Sequence, residues 1–359
     1  MSVETRKRLA LTMGDPDGIG PEITARFLHQ WAKNALNSSP SEGWQARPDG
    51  VVSKDTSSLI VYGDIAALQH IATVLNIVLP EPSAELQYQN IEADHGDVSP
   101  MARCGQISYN SLVAAVLAIN KGDADALLTG PISKENLHAA NIPYEGHTEI
   151  LQDLANQHFP KSSTQAPYQS DMLFLYQQFR MLLLTRHVPL SKVGESMTYD
   201  GVCQSLKTLC VFLTEQAKIP HPKIAMLGVN PHAGESMGKG QQHDSTEEAR
   251  ILKPAIEAIQ RLFPSVSITP PLAADGAFRG FKVDHPSYDA YVAAYHDQGL
   301  IPFKMMAGLQ AVNVTIGLPF LRTSVSHGTA PDIAGKGIAS EESLIAAYQA
   351  ALELITLGD

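Results

Sequence analysis

Short apolar runs alternate with longer segments of helical period along the whole chain. Leu9-Ala-Leu-Thr-Met13 reads as a buried strand that runs into Gly14-Asp-Pro-Asp-Gly-Ile-Gly-Pro-Glu22, where Pro21 suits the first turn of a helix reaching about Leu36. Leu59-Ile-Val-Tyr-Gly63 is a second strand, with Asp64 placed to cap a helix over 65–76. A helix over 106–121 leads to a strand over 124–129, and Gly130-Pro-Ile-Ser-Lys134 opens a short helix. Gly146-His-Thr-Glu149 starts a further helical stretch, over 150–157. The apolar segments 172–176 and 181–185 pattern as a hairpin pair, followed by a long helix over 202–217 and a strand over 224–229. Ser245-Thr-Glu-Glu248 has capping-box spacing for a helix to about 263. A strand over 290–295 and an amphipathic helix over 342–357 close the pattern. Such alternation predicts a largely parallel or mixed sheet in an α/β architecture, with ligands beyond the carboxyl ends of the strands. The stretch 37–58 is rich in Ser, Pro, Gly and Asp and reads as a long surface loop or a partly disordered insertion.

At 359 residues the chain can hold two domains or one large one, and 44% apolar with 6% aromatic residues suits buried sheets covered by helices. Twenty-six basic against 37 acidic residues leave a net charge of −11, a field that disfavours nucleic acid and anionic membrane surfaces. An anionic substrate therefore needs local Lys, Arg, His or backbone N–H groups. Three cysteines without CxxC spacing argue against a disulfide framework or a structural zinc site, and fit a reducing cytoplasm. No apolar run approaches the roughly 18 residues of a membrane span, so neither insertion nor secretion is expected.

His187, His232 and His296 each follow an apolar, strand-like run. Three strand-end imidazoles could meet on one divalent ion, zinc or cobalt more naturally than magnesium; their separation in sequence matches no ligand code, and each could equally be a hydrogen-bonded loop residue. Neither GxGxxG nor GxxxxGK[ST] occurs, so the glycine loop at 14–20 is either an anion cradle at a helix N-terminus or a tight βα connection. Thr148 would offer a hydroxyl and an N–H to a phosphate. Lys304 and Arg322 lie beside hydrophobic sequence and need anionic partners, either a ligand or Asp275, Asp297 or Asp332. Asn313 is a neutral donor and acceptor or a turn residue, the cysteines read as buried fillers, and His327 as a loop residue.

Taken together, Gly14 to Glu22, Thr129-Gly-Pro-Ile-Ser-Lys134, Gly146-His-Thr-Glu149, His187-Val-Pro-Leu190, Asn230-Pro-His-Ala-Gly-Glu235, Tyr295-His-Asp-Gln-Gly299 and Gly317-Leu-Pro-Phe-Leu-Arg-Thr-Ser324 resemble the 4-hydroxythreonine-4-phosphate dehydrogenase family of vitamin B6 synthesis. The resemblance implies an isocitrate/isopropylmalate dehydrogenase-like α/β fold with a central cleft, not a Rossmann fold. One lobe would take 1–145 plus about 310–359, the other about 146–309 with the metal site and a dimer interface. It implies oxidation of 4-phosphooxy-L-threonine at C3 by NAD or NADP with decarboxylation to 3-amino-2-oxopropyl phosphate, in a cytoplasmic homodimer whose site both subunits share. His187, His232 and His296 would hold zinc, cobalt or magnesium, and His147, Thr148, Lys304, Asn313 and Arg322 would bind substrate. The proton acceptor is open between Asp275, a metal-bound hydroxide and a lysine. Related enzymes oxidise phosphorylated four-carbon sugar acids such as 4-phospho-threonate, and phosphate acyltransferases share the fold type. The stretches 37–58, 161–170 and 238–244 look longer than the family's connections, and Ser326 stands where an Asp is expected before His-Gly-Thr.

Overall fold

The computed structural model describes residues 6–36, 57–94, 98–161, 166–234 and 245–358. Its elements follow the expected alternation: β1 (Arg8–Thr12), α1 (Gly20–Leu36), β2 (Ser58–Gly63), α2 (Ile65–Val74), β3 (Leu86–Asn90), α3 (Pro100–Lys121), β4 (Ala126–Thr129), α4 (Lys134–Ala139) and α5 (His147–His158). Then come β5 (Asp171–Tyr176), β6 (Phe179–Leu183), α6 (Val193–Ser196), α7 (Tyr199–Val211), β7 (Lys223–Met226), α8 (Lys253–Leu262), β8 (Ser267–Ile268) and β9 (Ala290–Ala293). The chain closes with α9 (His296–Ala307), β10 (Val312–Ile316), β11 (Leu321–Val325) and α10 (Glu342–Gly358). The insertions expected at 37–58 and 238–244 lie almost wholly outside the described residues, as do 162–165.

Contacts divide the chain into two compact units, Met1–Ala166 with Phe320–Leu352, and Pro167–Pro319 with Glu353–Asp359. These divisions fall later along the chain than those expected near 145 and 310, so α5 packs with the first unit and β10 with the second. The first unit holds β3-β2-β1-β4-β11 with every described pairing parallel. Leu9, Leu11, Leu127 and Leu128 are fully buried with Ile23, Phe27 and Leu112 from the covering helices, the pattern of a parallel sheet covered on both faces. Asp64 caps α2 by accepting the Ala67 N–H at 3.0 Å, as its position predicts.

The second unit is mixed: β10-β5-β6-β9-β7-β8, with β5 antiparallel to β10 and β6, and β6, β9, β7 and β8 parallel. The expected hairpin is β5–β6, closed through Gln177 at φ 51°. An aromatic core of Phe174, Phe179, Tyr291 and Phe303 packs around it, with ring centres 5.1–5.8 Å apart.

Three local expectations need correction. The helix over 202–217 starts earlier, at Tyr199, where Thr198 accepts the Gly201 N–H, and its end is π-wound over Phe212–Gln216. Ser245 does not form a capping box with Glu248; the Thr246 hydroxyl accepts the Ala249 N–H at 3.3 Å, and the Glu248 side chain turns elsewhere. The apolar run 290–295 ends as a strand at Ala293, so His296 is the first residue of a helix rather than a strand end.

Candidate functional site: an anion-binding corner and an imidazole edge

In the first unit, the parallel pairing of β4 with β11 sets Arg322 opposite Leu127. Thr129 lies two residues further on the same face, and its hydroxyl accepts from Arg322 Nε at 3.1 Å and Nη2 at 2.7 Å. Arg322 is only 1% exposed. Burial pushes its pKa down to about 9, still well above neutrality, so the guanidinium stays a cation. The pull of an enclosed cation on an anionic ligand is far stronger than that of a solvated one.

His147 opens α5 behind Gly146, which supplies no side-chain cap. Its Nε2 is enclosed and has no hydrogen-bond partner. Burial, and then the Arg322 guanidinium, hold the imidazole well below its ordinary range, with a hydrogen bond to the Gly130 backbone acting the other way. The ring is neutral at pH 7. Thr148 beside it is buried, and the free N–H groups of the first helical turn favour negative charge. Arg322, a neutral His147 and the α5 N-terminus together make a corner suited to a phosphate or carboxylate.

The glycine loop after β1 is a tight connection rather than a phosphate cradle. A Cβ on Gly14 would collide with the Pro131 carbonyl, and one on Gly130 with that of Met13. The two turns interlock through Asp15 N–H to Pro131 O at 2.8 Å and Gly130 N–H to Thr12 O at 2.7 Å. Asp15, 1% exposed, braces them by accepting from Asn136 Nδ2 and the Asp17 N–H.

In the second unit, β6, β9 and β7 are neighbours and parallel, so their carboxyl ends lie side by side. His187, His296 and His232 follow those ends in that order. The His187 and His296 ring centres are 5.9 Å apart; two imidazoles ligating one ion at about 2.0–2.1 Å place their ring centres about 5–6 Å apart. Asp297 Oδ1 lies 2.7 Å from His296 Nδ1, which puts the proton on Nδ1 and leaves Nε2 as donor to a metal. His232 lies in a loop at φ 54°, followed by Ala233 at 52° and Gly234 at 77°. Left-handed backbone costs about 1–2 kcal/mol for each non-glycine residue, so this loop is held against its own preference. Among the described residues no three His, Cys, Asp or Glu side chains are already grouped to hold a metal ion. The donors nevertheless fit a divalent transition ion, with two rings at coordinating separation and the third on the neighbouring strand's loop.

Two polar groups fix this edge in a role that neither the capping-box spacing at Glu248 nor the motif around Gln298 had indicated. Gln298 accepts the Ala294 N–H through Oε1 at 2.7 Å and donates through Nε2 to Gly228 O at 2.7 Å, tying the end of β9 to the loop after β7. Glu248, fully buried, accepts the Val229 and Asn230 N–H groups at 2.8 and 2.7 Å. On the β6 side, Thr185 Oγ1 donates to Ala294 O at 2.7 Å.

Asn313 sits on β10 opposite Phe174, and its Oδ1 is buried without a partner. Only six described side-chain atoms are so placed, and the Asn313 and His147 atoms are two of them; enclosed unpaired polar atoms are costly and mark places where a ligand completes the bonding. Lys304 departs from expectation. It lies in the last turn of α9, exposed, with no ion pair among the described residues, so no buried charge demands a partner there. Asp275 is exposed. Cys104 and Cys210 are buried and Cys203 half-buried, and His327 contacts its neighbour's carbonyl, Gly328 O, at 3.0 Å.

The first unit is all-parallel and encloses a cation, and the second is mixed and carries imidazoles beyond the ends of its strands, the build of an α/β enzyme. Residues 55–351 match the family described as pyridoxal phosphate biosynthetic protein PdxA, and the chain belongs to that family. The 4-hydroxythreonine-4-phosphate dehydrogenase of Thermosynechococcus vestitus is 36% identical over 354 residues, covering 94% of each chain. The D-threonate 4-phosphate dehydrogenase of Pectobacterium atrosepticum is 32% identical, with 97% of this chain and 99% of that protein aligned. The crystal structure of 4-hydroxythreonine-4-phosphate dehydrogenase from Klebsiella pneumoniae superposes with a TM-score of 0.73 at 29% identity, covering 97% of this chain and 99% of that one. The fold is thus this family's.

Proposed function

We propose that the chain oxidises 4-phosphooxy-L-threonine at C3 and releases carbon dioxide to give 3-amino-2-oxopropyl phosphate, using NAD or NADP and a divalent ion. The observation that supports this reading is the parallel β6-β9-β7 edge, beyond whose carboxyl ends the chain carries His187, His296 and His232. His187, His232 and His296 would hold the ion, zinc or cobalt before magnesium, which would supply Lewis acidity, and a bound nicotinamide would supply a hydride acceptor. Arg322 and the α5 N-terminus bind the substrate's anionic groups, and His147, kept neutral, donates or accepts a hydrogen bond without adding charge. Asn313 Oδ1 accepts from a substrate N–H or O–H, and Lys304 contributes a mobile cation. Asp297 holds the His296 ring in one tautomer.

A homodimer is part of the reading. Ile301, Met305 and Leu309 follow one another at helical spacing along α9 and the turn after it, 59%, 82% and 53% exposed, a stripe suited to burial against a second copy. No helix among the described residues is long and apolar enough to cross a membrane, and the three unpaired cysteines accord with a cytoplasmic setting.

A second substrate follows from the relatives. 4-Phospho-threonate carries a hydroxyl in place of the amino group, and Ser326, whose N–H donates to Ser343 Oγ at 3.2 Å, stands where the resemblance leads one to expect an Asp. Initial rates of NADH and NADPH formation at 340 nm, with each substrate and with zinc, cobalt or magnesium, test both readings. Metal-dependent turnover of 4-phosphooxy-L-threonine above 4-phospho-threonate is expected; the reverse order transfers the assignment to the sugar acid, and no turnover of either overturns the dehydrogenase reading.

A further inference from the structure

The loop that carries His232 is bent against its intrinsic preference, and one buried carboxylate meets it. Glu248 Oε1 accepts the backbone N–H of Val229 at 2.8 Å and of Asn230 at 2.7 Å, and Oε2 accepts from Asn230 Nδ2 at 2.9 Å. Asn230 Nδ2 is shared with Glu247 Oε2 at 2.8 Å. Glu247 precedes and Glu248 opens the segment Glu248–Leu252, which is π-wound and flows into α8; such widened turns recur at functional sites. Glu248 is 0% exposed and makes no ion pair with a basic side chain among the described residues. Desolvation works to raise its pKa, yet the N–H donors of Asn230 and Val229 hold it below the ordinary carboxylate value. Packing alone would not call for a charged group at this position. Two backbone N–H groups and one side-chain amide aimed at a single carboxylate would. The same Oε2 would lie against any Cβ placed on Gly234, so the carboxylate also bounds the far end of the turn.

We propose that Glu248 is the positioning residue for the metal ligand His232, locking Val229–Gly234 into the left-handed turn that presents the imidazole at the strand edge. The proposal rests on the metal-site reading given above. Outer residues that orient a ligand typically set metal affinity within about 10–100-fold. Glutamine at 248 would keep the volume but offer one acceptor oxygen and set its amide N–H₂ against Asn230 Nδ2.

The test is the affinity of the metal-free full-length protein for zinc alone, measured by competition with a chromophoric chelator. The proteins compared are the wild type, Glu248→Gln, Glu248→Ala, His232→Ala and the His232→Ala/Glu248→Gln double variant. Glu248→Gln should weaken zinc binding about 10–100-fold and should add no further loss once His232 is gone. Wild-type affinity in Glu248→Gln beside a weakened His232→Ala overturns the positioning role and leaves the metal site standing. An equal loss from Glu248→Gln with and without His232 also overturns it, since the effect would then be a general loosening of the unit. Wild-type affinity in His232→Ala overturns the metal-site reading, and this proposal with it. Should Glu248→Ala fail to fold, the glutamine variants carry the test alone.

Discussion

The anion corner and the imidazole edge are built in opposite ways. In the first unit the functional groups themselves are enclosed: Arg322 is 1% exposed and His147 Nε2 is sealed without a partner. In the second unit the groups that would bind a metal reach solvent, His187 and His232 being exposed and His296 half-buried, while their polar supports lie deeper, Glu248 and Thr185 buried and Gln298 half-buried. Rigidity comes from desolvation in one place and from a hydrogen-bonded scaffold under exposed ligands in the other. A charge that must attract an anion gains from low dielectric, whereas a ligand that must deliver a lone pair to an ion gains from accessibility and fixed aim.

The sharpest way to break this contrast is His232→Ala. Loss of one of three ligands should weaken zinc binding by more than the ~100-fold upper range of a supporting residue and abolish turnover; wild-type metal content would remove the imidazole edge from the reading. Arg322→Met comes next. Removing an enclosed charge from its ligand should cost about 3–5 kcal/mol, seen as a rise in KM of about two to four orders of magnitude at unchanged zinc affinity. Thr129→Val should be milder, because it strips one hydroxyl that accepts two guanidinium N–H groups; about 1–3 kcal/mol of lost orientation predicts roughly a tenfold or larger rise in KM.

The smallest effect is a pH dependence confined to the corner. The folded-state pKa of His147 lies below its unfolded value, so its contribution to stability is complete above the unfolded pKa of about 6.5. It is lost as pH falls below that value, because the unfolded chain then takes up a proton that the folded chain refuses. Urea unfolding of the protein without substrate should show stability declining from pH 7 to pH 5 by at most about 1.4 kcal/mol per pH unit from this group. His147→Gln should flatten that slope, and an unchanged slope would show that the ring is not buried neutral.

Periodicity carried much of the fold. The strands at Leu9, Leu59 and Ala126, the β5–β6 hairpin and the Asp64 cap were legible because each is apolar and punctuated, or rests on a local side-chain rule. β3 was not, since Leu86-Gln-Tyr-Gln-Asn90 is an edge strand with one buried residue and mostly polar character. α9 is hidden because His-Asp-Gln-Gly and an internal Pro302 do not read as a helix, and the apolar run over 290–295 carries the strand pattern up to its first residue. Residue types suggested three imidazoles and an arginine. They did not reveal that Arg322 would be sealed and Lys304 exposed, because that difference is set by a central strand in one case and a last helical turn in the other. Glu248 and Gln298 act on backbone groups some 18 and 70 positions away, a relation that local patterns cannot carry.

The sealing of Arg322 also bears on how the protein should respond to ionic strength. At a net charge of −11 the molecule as a whole repels a phosphorylated acid, and that repulsion acts over distances that added salt screens, the Debye length being about 10 Å at 0.1 M. In the proposed site the main attraction comes from a cation that salt ions scarcely reach, with exposed Lys304 adding a smaller part. Potassium chloride should therefore lower KM, or leave it level, between about 10 and 150 mM, where a surface-exposed lysine or arginine site would lose affinity.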